Sequence, residues 1–227
     1  MDLRSSVDYK RAKTYSSKEP ETLDWIDSFT SESKIIFYDI GANIGIYSLY
    51  AGKKHGKKIQ TFAFEPLSQN ISSLSNNIYI NSLSGIIMPY CVAISEHSGF
   101  SKLHIPSNRF RSGGNRSQFS DNINDAGSIA GKTIIHSEGT FGVNLDDLCY
   151  KFDFPIPNYI KIDVDGIELN ILKGAKNLLK DRRLKSLLIE LGNLPKNEHD
   201  QGKNILEENG FELIIVGKKH NEIYSRS

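Results

Sequence analysis

The sequence predicts an α/β protein built on a doubly wound, mainly parallel sheet. Three observations carry that expectation. Short apolar runs read as buried strands at residues 35–40, 60–64, 86–94, 159–164 and 187–191. Segments with apolar residues at helical spacing alternate with them. Turn residues, with glycine and asparagine foremost, sit where the strands end. Strands alternating with helices imply parallel crossovers, and these place ligands at the carboxyl ends of the strands.

The chain opens with a polar stretch, residues 1 to about 20. Arg4, Lys10, Arg11 and Lys13 are interleaved there with Tyr9 and Tyr15. A solvated, frayed arm is the expectation; the alternative is a lid that uses the tyrosines as apolar faces. Residues 21–29 form a short helix that buries Leu23, Trp25, Ile26 and Phe29. Residues 1–30 are thus an arm with a short helix, and 31–227 the main domain.

The first strand, 35–40, runs into Gly41-Ala42-Asn43-Ile44-Gly45 and then into a helix over 44–53. Gly41 can take backbone angles closed to a side chain and lets a ligand approach the main chain. Asn43 is the expected N-cap. The free N–H groups of that helix start would favour an anion or carboxylate. The second strand, 60–64, ends in Glu65-Pro66, with a helix over 66–77 and Pro66 at its first position. The third strand, 86–94, contains Pro89, which suits an edge or a bulge.

Residues 98–142 break the rhythm with a polar insert rich in Ser, Asn and Gly, with strand-like pieces at 101–105 and 133–136. A solvated loop is the expectation. The alternative is a substrate loop in which Arg109, Arg111 and Arg116 grip a phosphate or carboxylate. His97, His104 and His136, in or beside the insert, read as ordinary surface histidines. Next, Ile167, Ile171, Ala175, Leu178 and Leu179 line one face of a helix, and another helix covers 198–209. Residues 211–216 and 223–224 close the chain as a hairpin.

The formal net charge is +1 over 227 residues, which gives no reason to expect nucleic acid or an anionic membrane as partner. Cys91 and Cys149 read as small buried apolar groups in a reducing compartment, not as a bridge. No apolar run approaches membrane-spanning length, and the N-terminus lacks the apolar core of a signal peptide. A soluble cytoplasmic protein is expected.

The residues with chemistry cluster at strand ends. Glu65 can accept both hydroxyls of a ribose; such charged hydrogen bonds contribute roughly 1.5–3 kcal/mol. A dinucleotide-binding protein would place an acid there too. However, its glycine fingerprint wants the first, third and sixth places, which here hold Gly41, Asn43 and Ile46. Ser95 ends the third strand, where it either contacts an adenine edge or simply forms a turn. In Lys161-Ile162-Asp163-Val164-Asp165-Gly166-Ile167-Glu168, Asp165 and Glu168 have capping-box spacing. That leaves Asp163 without a local structural task. Lys161 pairs with Asp163 or Glu190, or reaches solvent. Asp163 and Glu190, on neighbouring strand ends, can each take a proton from a substrate hydroxyl. With Asn193 they could instead ligate Mg²⁺. Acids at strand ends are common without metals, and none is expected.

Together, Tyr38-Asp39-Ile40-Gly41-Ala42-Asn43-Ile44-Gly45, Phe64-Glu65-Pro66, Val143-Asn144-Leu145-Asp146-Asp147-Leu148 and the run from Ile160 to Glu168 resemble the FkbM-type methyltransferases, a branch of the class I enzymes that use S-adenosylmethionine. The family often has Glu where this chain has Asp165. The resemblance implies a Rossmann-like sheet of seven strands with the last antiparallel. It implies methyl transfer, most often to a hydroxyl of a sugar or natural product. By the same resemblance Asp39, Gly41 and Asn43 border the methionine end of the cofactor, Glu65 its ribose, and Asp163 the transferring methyl. The rivals are an NAD-linked oxidoreductase and a cofactor-binding module without catalysis.

Overall fold

A computed structural model describes residue 1 and residues 6–106, 118–120, 134–164, 166–217 and 220–226. The strands of the main sheet are β1 (Ile35–Ile40), β2 (Ile59–Phe64), β3 (Ile87–Tyr90), β8 (Tyr159–Ile162), β9 (Ser186–Ile189), β10 (Glu212–Val216) and β11 (Glu222–Ser225). Their order is β10-β11-β9-β8-β1-β2-β3. β1, β2, β3, β8 and β9 are mutually parallel, and β11 runs antiparallel to both neighbours. The seven strands and the reversed last one match the expectation. Pro89 lies on β3, the edge strand, where a missing N–H costs least.

Successive side chains of a strand point to opposite faces, so each central strand serves two cores. Tyr38, Ile40, Phe62, Phe64, Ile160 and Ile162 pack with Leu148 of α5 (Leu145–Tyr150), Ile171 of α6 (Glu168–Lys173) and Leu206 of α7 (Lys196–Glu208). Phe37, Tyr159, Leu188 and Ile223 face the other way. They meet Trp25 and Ile26 of α2 (Pro20–Asp27), Phe29 just after it, and Ala51 of α3 (Ile46–His55). Phe29 stacks on Tyr159 with ring centroids 3.9 Å apart. Ala63 and Ile87 pack against Leu49 of α3 and against Leu74 and Ile78 of α4 (Ser68–Ile80). Helices on both faces make the sheet doubly wound.

Several expectations change on inspection. The polar start is not a frayed arm: α1 (Ser6–Lys18) is helical. The third strand divides, because β3 stays in the main sheet while β4 (Ala93–Ile94) joins a second one. That second sheet, β4-β7-β5-β6, is made by the insert, with β5 (Gly99–Pro106), β6 (Gln118–Ser120) and β7 (Ile134–Val143). Leu103 and Ile105 anchor it against Leu67, so its described part is ordered sheet and not solvated loop. His104 is buried there with Nδ1 on Ser137 Oγ, against the expectation of a surface histidine. The single helix expected over 167–179 breaks at Gly174, where a Cβ would lie 2.7 Å from the Ser95 carbonyl oxygen. Cys149 is buried beside the Tyr38 hydroxyl, but Cys91 is exposed. Among the described residues no helix is long and apolar enough to cross a membrane.

Candidate functional site

The turn after β1 is built from three residues with positive φ: Gly41 at 77°, Asn43 at 53° and Gly45 at 90°. The N–H groups of Gly41 and Ala42 both donate to the Phe64 carbonyl at 3.0 Å, tying the turn to the end of β2. Glu65 clasps it from the same side. Its Oε2 accepts from Asn43 N and its Oε1 from Leu67 N, each at 2.9 Å. Asn43 is not the N-cap, because α3 starts at Ile46 with Gly45 in the cap position. The Asn43 side chain instead accepts from Ile44 N. Gly41 takes a backbone angle closed to a side chain, as expected, and lines the cavity. A Cβ there would lie 1.9 Å from the Asp163 carbonyl oxygen, so the space a side chain would need is occupied by β8's continuation.

This turn forms one wall of a cavity of about 360 Å³ at the carboxyl ends of β1, β8 and β9. Residues 41–44, with Ile46 and Tyr47 of α3, make that wall. Lys161 and Asp163 make the floor, Glu190 and Asn193 follow β9, and His220 comes from the final hairpin. Tyr15 and Lys18 of α1, with Glu19, close the remaining side. Asp163, Glu190 and Asn193 therefore share one space, as their strand-end positions suggested.

Register explains the charges beneath it. Asp39 of β1 pairs with Lys161 of β8, so both side chains emerge side by side toward α3. Lys161, 1% exposed, donates to Asp163 Oδ2 at 2.9 Å and lies 4.0 Å from Asp39. Its ammonium also sits 5.0 Å from the centre of the Tyr47 ring. Of the partners open to Lys161, the structure selects Asp163. Burial works against the ammonium's charge, but the carboxylates of Asp163 and Asp39 outweigh it and hold its pKa above the usual lysine value. Asp39 is buried with Ser48 Oγ donating to it at 2.6 Å. Burial pushes its pKa up against the opposing pull of Lys161 and Ser48. Asp39 lies under the cavity and does not line it. Glu19 is the reverse case: burial is outweighed by hydrogen bonds from Lys18 and Tyr47, and its pKa is lowered.

Glu168 sends its carboxylate back to Gly166 N and Val164 N, which shapes the loop after β8. Burial raises its pKa to about 7. Asp165, its expected capping-box partner, lies outside the described residues, as do Arg109, Arg111 and Arg116.

A second, apolar slot continues from Gly41 between Ile40, Phe64, Ala93, Ile94 and Val164, with Phe119 of β6 across it. Its volume is about 30 Å³, the share of one water molecule. Neither Glu65 nor Ser95 lines either space. Ser95 Oγ donates to the His97 carbonyl, the turn-forming alternative of the two the sequence left open.

Sequence reasoning missed Glu19, Tyr47, Lys18 and His220 as cavity residues. The interleaved Tyr15 was the one hint that the N-terminal stretch returns to the site. Among the described residues, no group of three or more His, Cys, Asp or Glu side chains is arranged to hold a metal ion.

The profile of the Methyltransferase FkbM domain matches residues 39–213. A hexuronic acid methyltransferase, AglP, of Haloferax volcanii is 27% identical over 198 residues, covering 85% of this chain and 74% of that protein. Methyltransferase 1 of Beauveria bassiana is 26% identical over 196 residues, covering 82% and 75%. The crystal structure of a methyltransferase FkbM from Methylobacillus flagellatus superposes with a TM-score of 0.56 at 17% identity. It takes in 98% of this chain, which spans 56% of that longer one.

Proposed function

The chain belongs to the methyltransferase FkbM family, and on that premise we propose that it moves the methyl group of S-adenosylmethionine to a hydroxyl oxygen of a sugar or small natural product. The observation that carries this reading is the single cavity into which the Gly41–Ile44 turn, Asp163 and Glu190 all open. The activity named for the Haloferax relative supports a sugar acid as acceptor, and the family match disfavours the NAD-linked rival.

The residues suit such a cofactor in three places. The turn after β1 would border its amino-acid end. Glu65 accepts from Asn43 N and Leu67 N, which fixes its carboxylate beside the turn, where this reading puts the ribose diol. The apolar slot beyond Gly41 matches the character of a purine, and seating one there requires Phe119 to leave it.

When bound, S-adenosylmethionine supplies a methyl carbon already activated by its sulfonium. The protein's task is then to hold the acceptor oxygen in line behind that carbon, at about 3–3.5 Å. Asp163 is one third exposed, faces the cavity and is anchored by Lys161. In this reading it orients the acceptor hydroxyl and takes its proton, with Glu190 as second candidate. Burial of Lys161 keeps water from competing for the hydrogen bond that anchors Asp163.

Methyl-labelled S-adenosylmethionine, incubated with a panel of hexuronic acids and neutral sugars, tests the proposal directly. Label should enter a hydroxyl, and Asp163→Asn should abolish most of it. Transfer to none of the acceptors, or full turnover by Asp163→Asn at saturating substrate, would refute the corresponding step. Glu65→Ala should weaken S-adenosylhomocysteine binding by roughly tenfold or more in calorimetry; an unchanged constant would remove Glu65 from the ribose site.

A further inference from the structure

The first two helices precede residue 39, where the family match begins. The end of the first, through Tyr15 and Lys18, and Glu19 after it nevertheless close one side of the cavity that the matched region opens. Glu19 stands at their junction, 3% exposed. Lys18 pairs with one of its oxygens, and the other accepts a 2.6 Å hydrogen bond from the Tyr47 hydroxyl. The Tyr47 ring covers the Lys161 ammonium, which in turn holds Asp163. Glu19, Tyr47, Lys161 and Asp163 thus form one connected run, and all four line the cavity.

Each link is directional. A charged acceptor holds the phenol more firmly than a neutral one would. The aromatic face attracts the ammonium from one side only. The ammonium then donates to Asp163 from a fixed position, under a ring that excludes water from it. We propose that Glu19 is a positioning residue of the methyl-transfer site, setting the direction of the Asp163 carboxylate through Tyr47 and Lys161. This rests on the reading of Asp163 as the group that orients the acceptor. Without the Glu19 carboxylate the phenol rotates, the ring tilts, and the ammonium loses its cover. The ammonium then no longer donates to Asp163 from a fixed position.

The test uses Glu19→Gln, Glu19→Ala, Tyr47→Phe and the double variant Glu19→Ala/Tyr47→Phe. In the ligand-free protein, ¹⁵N NMR of the Lys161 ammonium, assigned through its bonded carbons, should give a slowly exchanging signal. That signal should broaden in Glu19→Ala and in Tyr47→Phe. With a hexuronic acid acceptor, each of these two variants should lose roughly tenfold to a hundredfold in kcat. Calorimetric affinity for S-adenosylhomocysteine should stay within about threefold. The double variant should be no worse than the worse single one, because both remove the same link. Glu19→Gln, which still accepts from the phenol, should recover part of the loss. A sharp Lys161 signal in folded Glu19→Ala, unchanged kcat, or losses that add in the double variant would overturn the proposal. Should the wild-type protein bind no S-adenosylhomocysteine, the functional reading fails, and the NMR signal alone decides whether Glu19 governs Lys161.

Discussion

Gly41→Ala adds a single methyl group where the backbone just past β1 lies against the backbone just past β8. Its Cβ would sit 1.9 Å from the Asp163 carbonyl oxygen, and real Cβ contacts essentially never fall below 3.0 Å. One backbone must therefore retreat by at least about 1.1 Å. Alanine at φ 77° also costs about 1–2 kcal/mol in left-handed backbone alone. Repacking around an added methylene contributes roughly another 1–3 kcal/mol. The sum, roughly 2–5 kcal/mol, lowers Tm by about 4–20 °C in a chain of this size. The displaced residue is Asp163 itself, so turnover should fall by about a hundredfold. Urea unfolding followed by circular dichroism gives the first quantity, and label transfer gives the second. A variant with unchanged unfolding midpoint and unchanged turnover would show that the turn has slack, and that the close approach does not position Asp163.

Lys161→Met keeps the volume but removes the cation that faces buried Asp39; breaking a buried pair on one side should cost about 3–5 kcal/mol in urea unfolding, and a loss below 1 kcal/mol would contradict it. His199 Nε2 donates to Glu222 Oε1 at 2.7 Å, and that contact, with Asp200 nearby, raises its pKa in the folded state. A raised folded pKa stabilises the protein fully below the unfolded value of about 6.5 and ceases to do so as pH rises through the folded value. The stability gap between wild type and His199→Gln should accordingly be larger at about pH 5.5 than at about pH 8.5, and an equal gap would disprove the linkage. Arg226 donates to the carbonyls of Leu179, Asp181, Leu184 and Asn209 and lies over the Phe211 ring. Arg226→Ala should cost roughly 2–4 kcal/mol and speed amide exchange in β11 first; uniform exchange across the sheet would argue against a local clasp.

The parts of this molecule written in local pattern were legible from sequence. β1, its glycine turn and β2 are each set by residues a few positions apart, and so is the alternation that makes the sheet parallel. Asp163 and Glu190 were legible for the same reason, since strand ends in such a sheet converge. What escaped was set by distant contacts. The helix over 167–179 breaks because the backbone of Ser95 presses on Gly174. Asn43 has the composition of an N-cap, yet positive φ along the turn moves the cap to Gly45 and the helix start to Ile46. Nothing in Lys10 to Lys18 announces that Glu19 will be captured by Tyr47, because that hydrogen bond depends on the docking of α2 onto the sheet.

That docking bears on how the chain is made. The indole N–H of Trp25 donates to Ser186, 161 residues further on, and the Ser186 hydroxyl donates to the carbonyl of Tyr224. During synthesis the first helices leave the ribosome with Trp25, Ile26 and Phe29 uncovered. Their berth on the sheet is incomplete until β9 and β11 have followed. This aromatic stretch is therefore translated well before the strands that shelter it, a long interval in which it depends on chaperones or on speed.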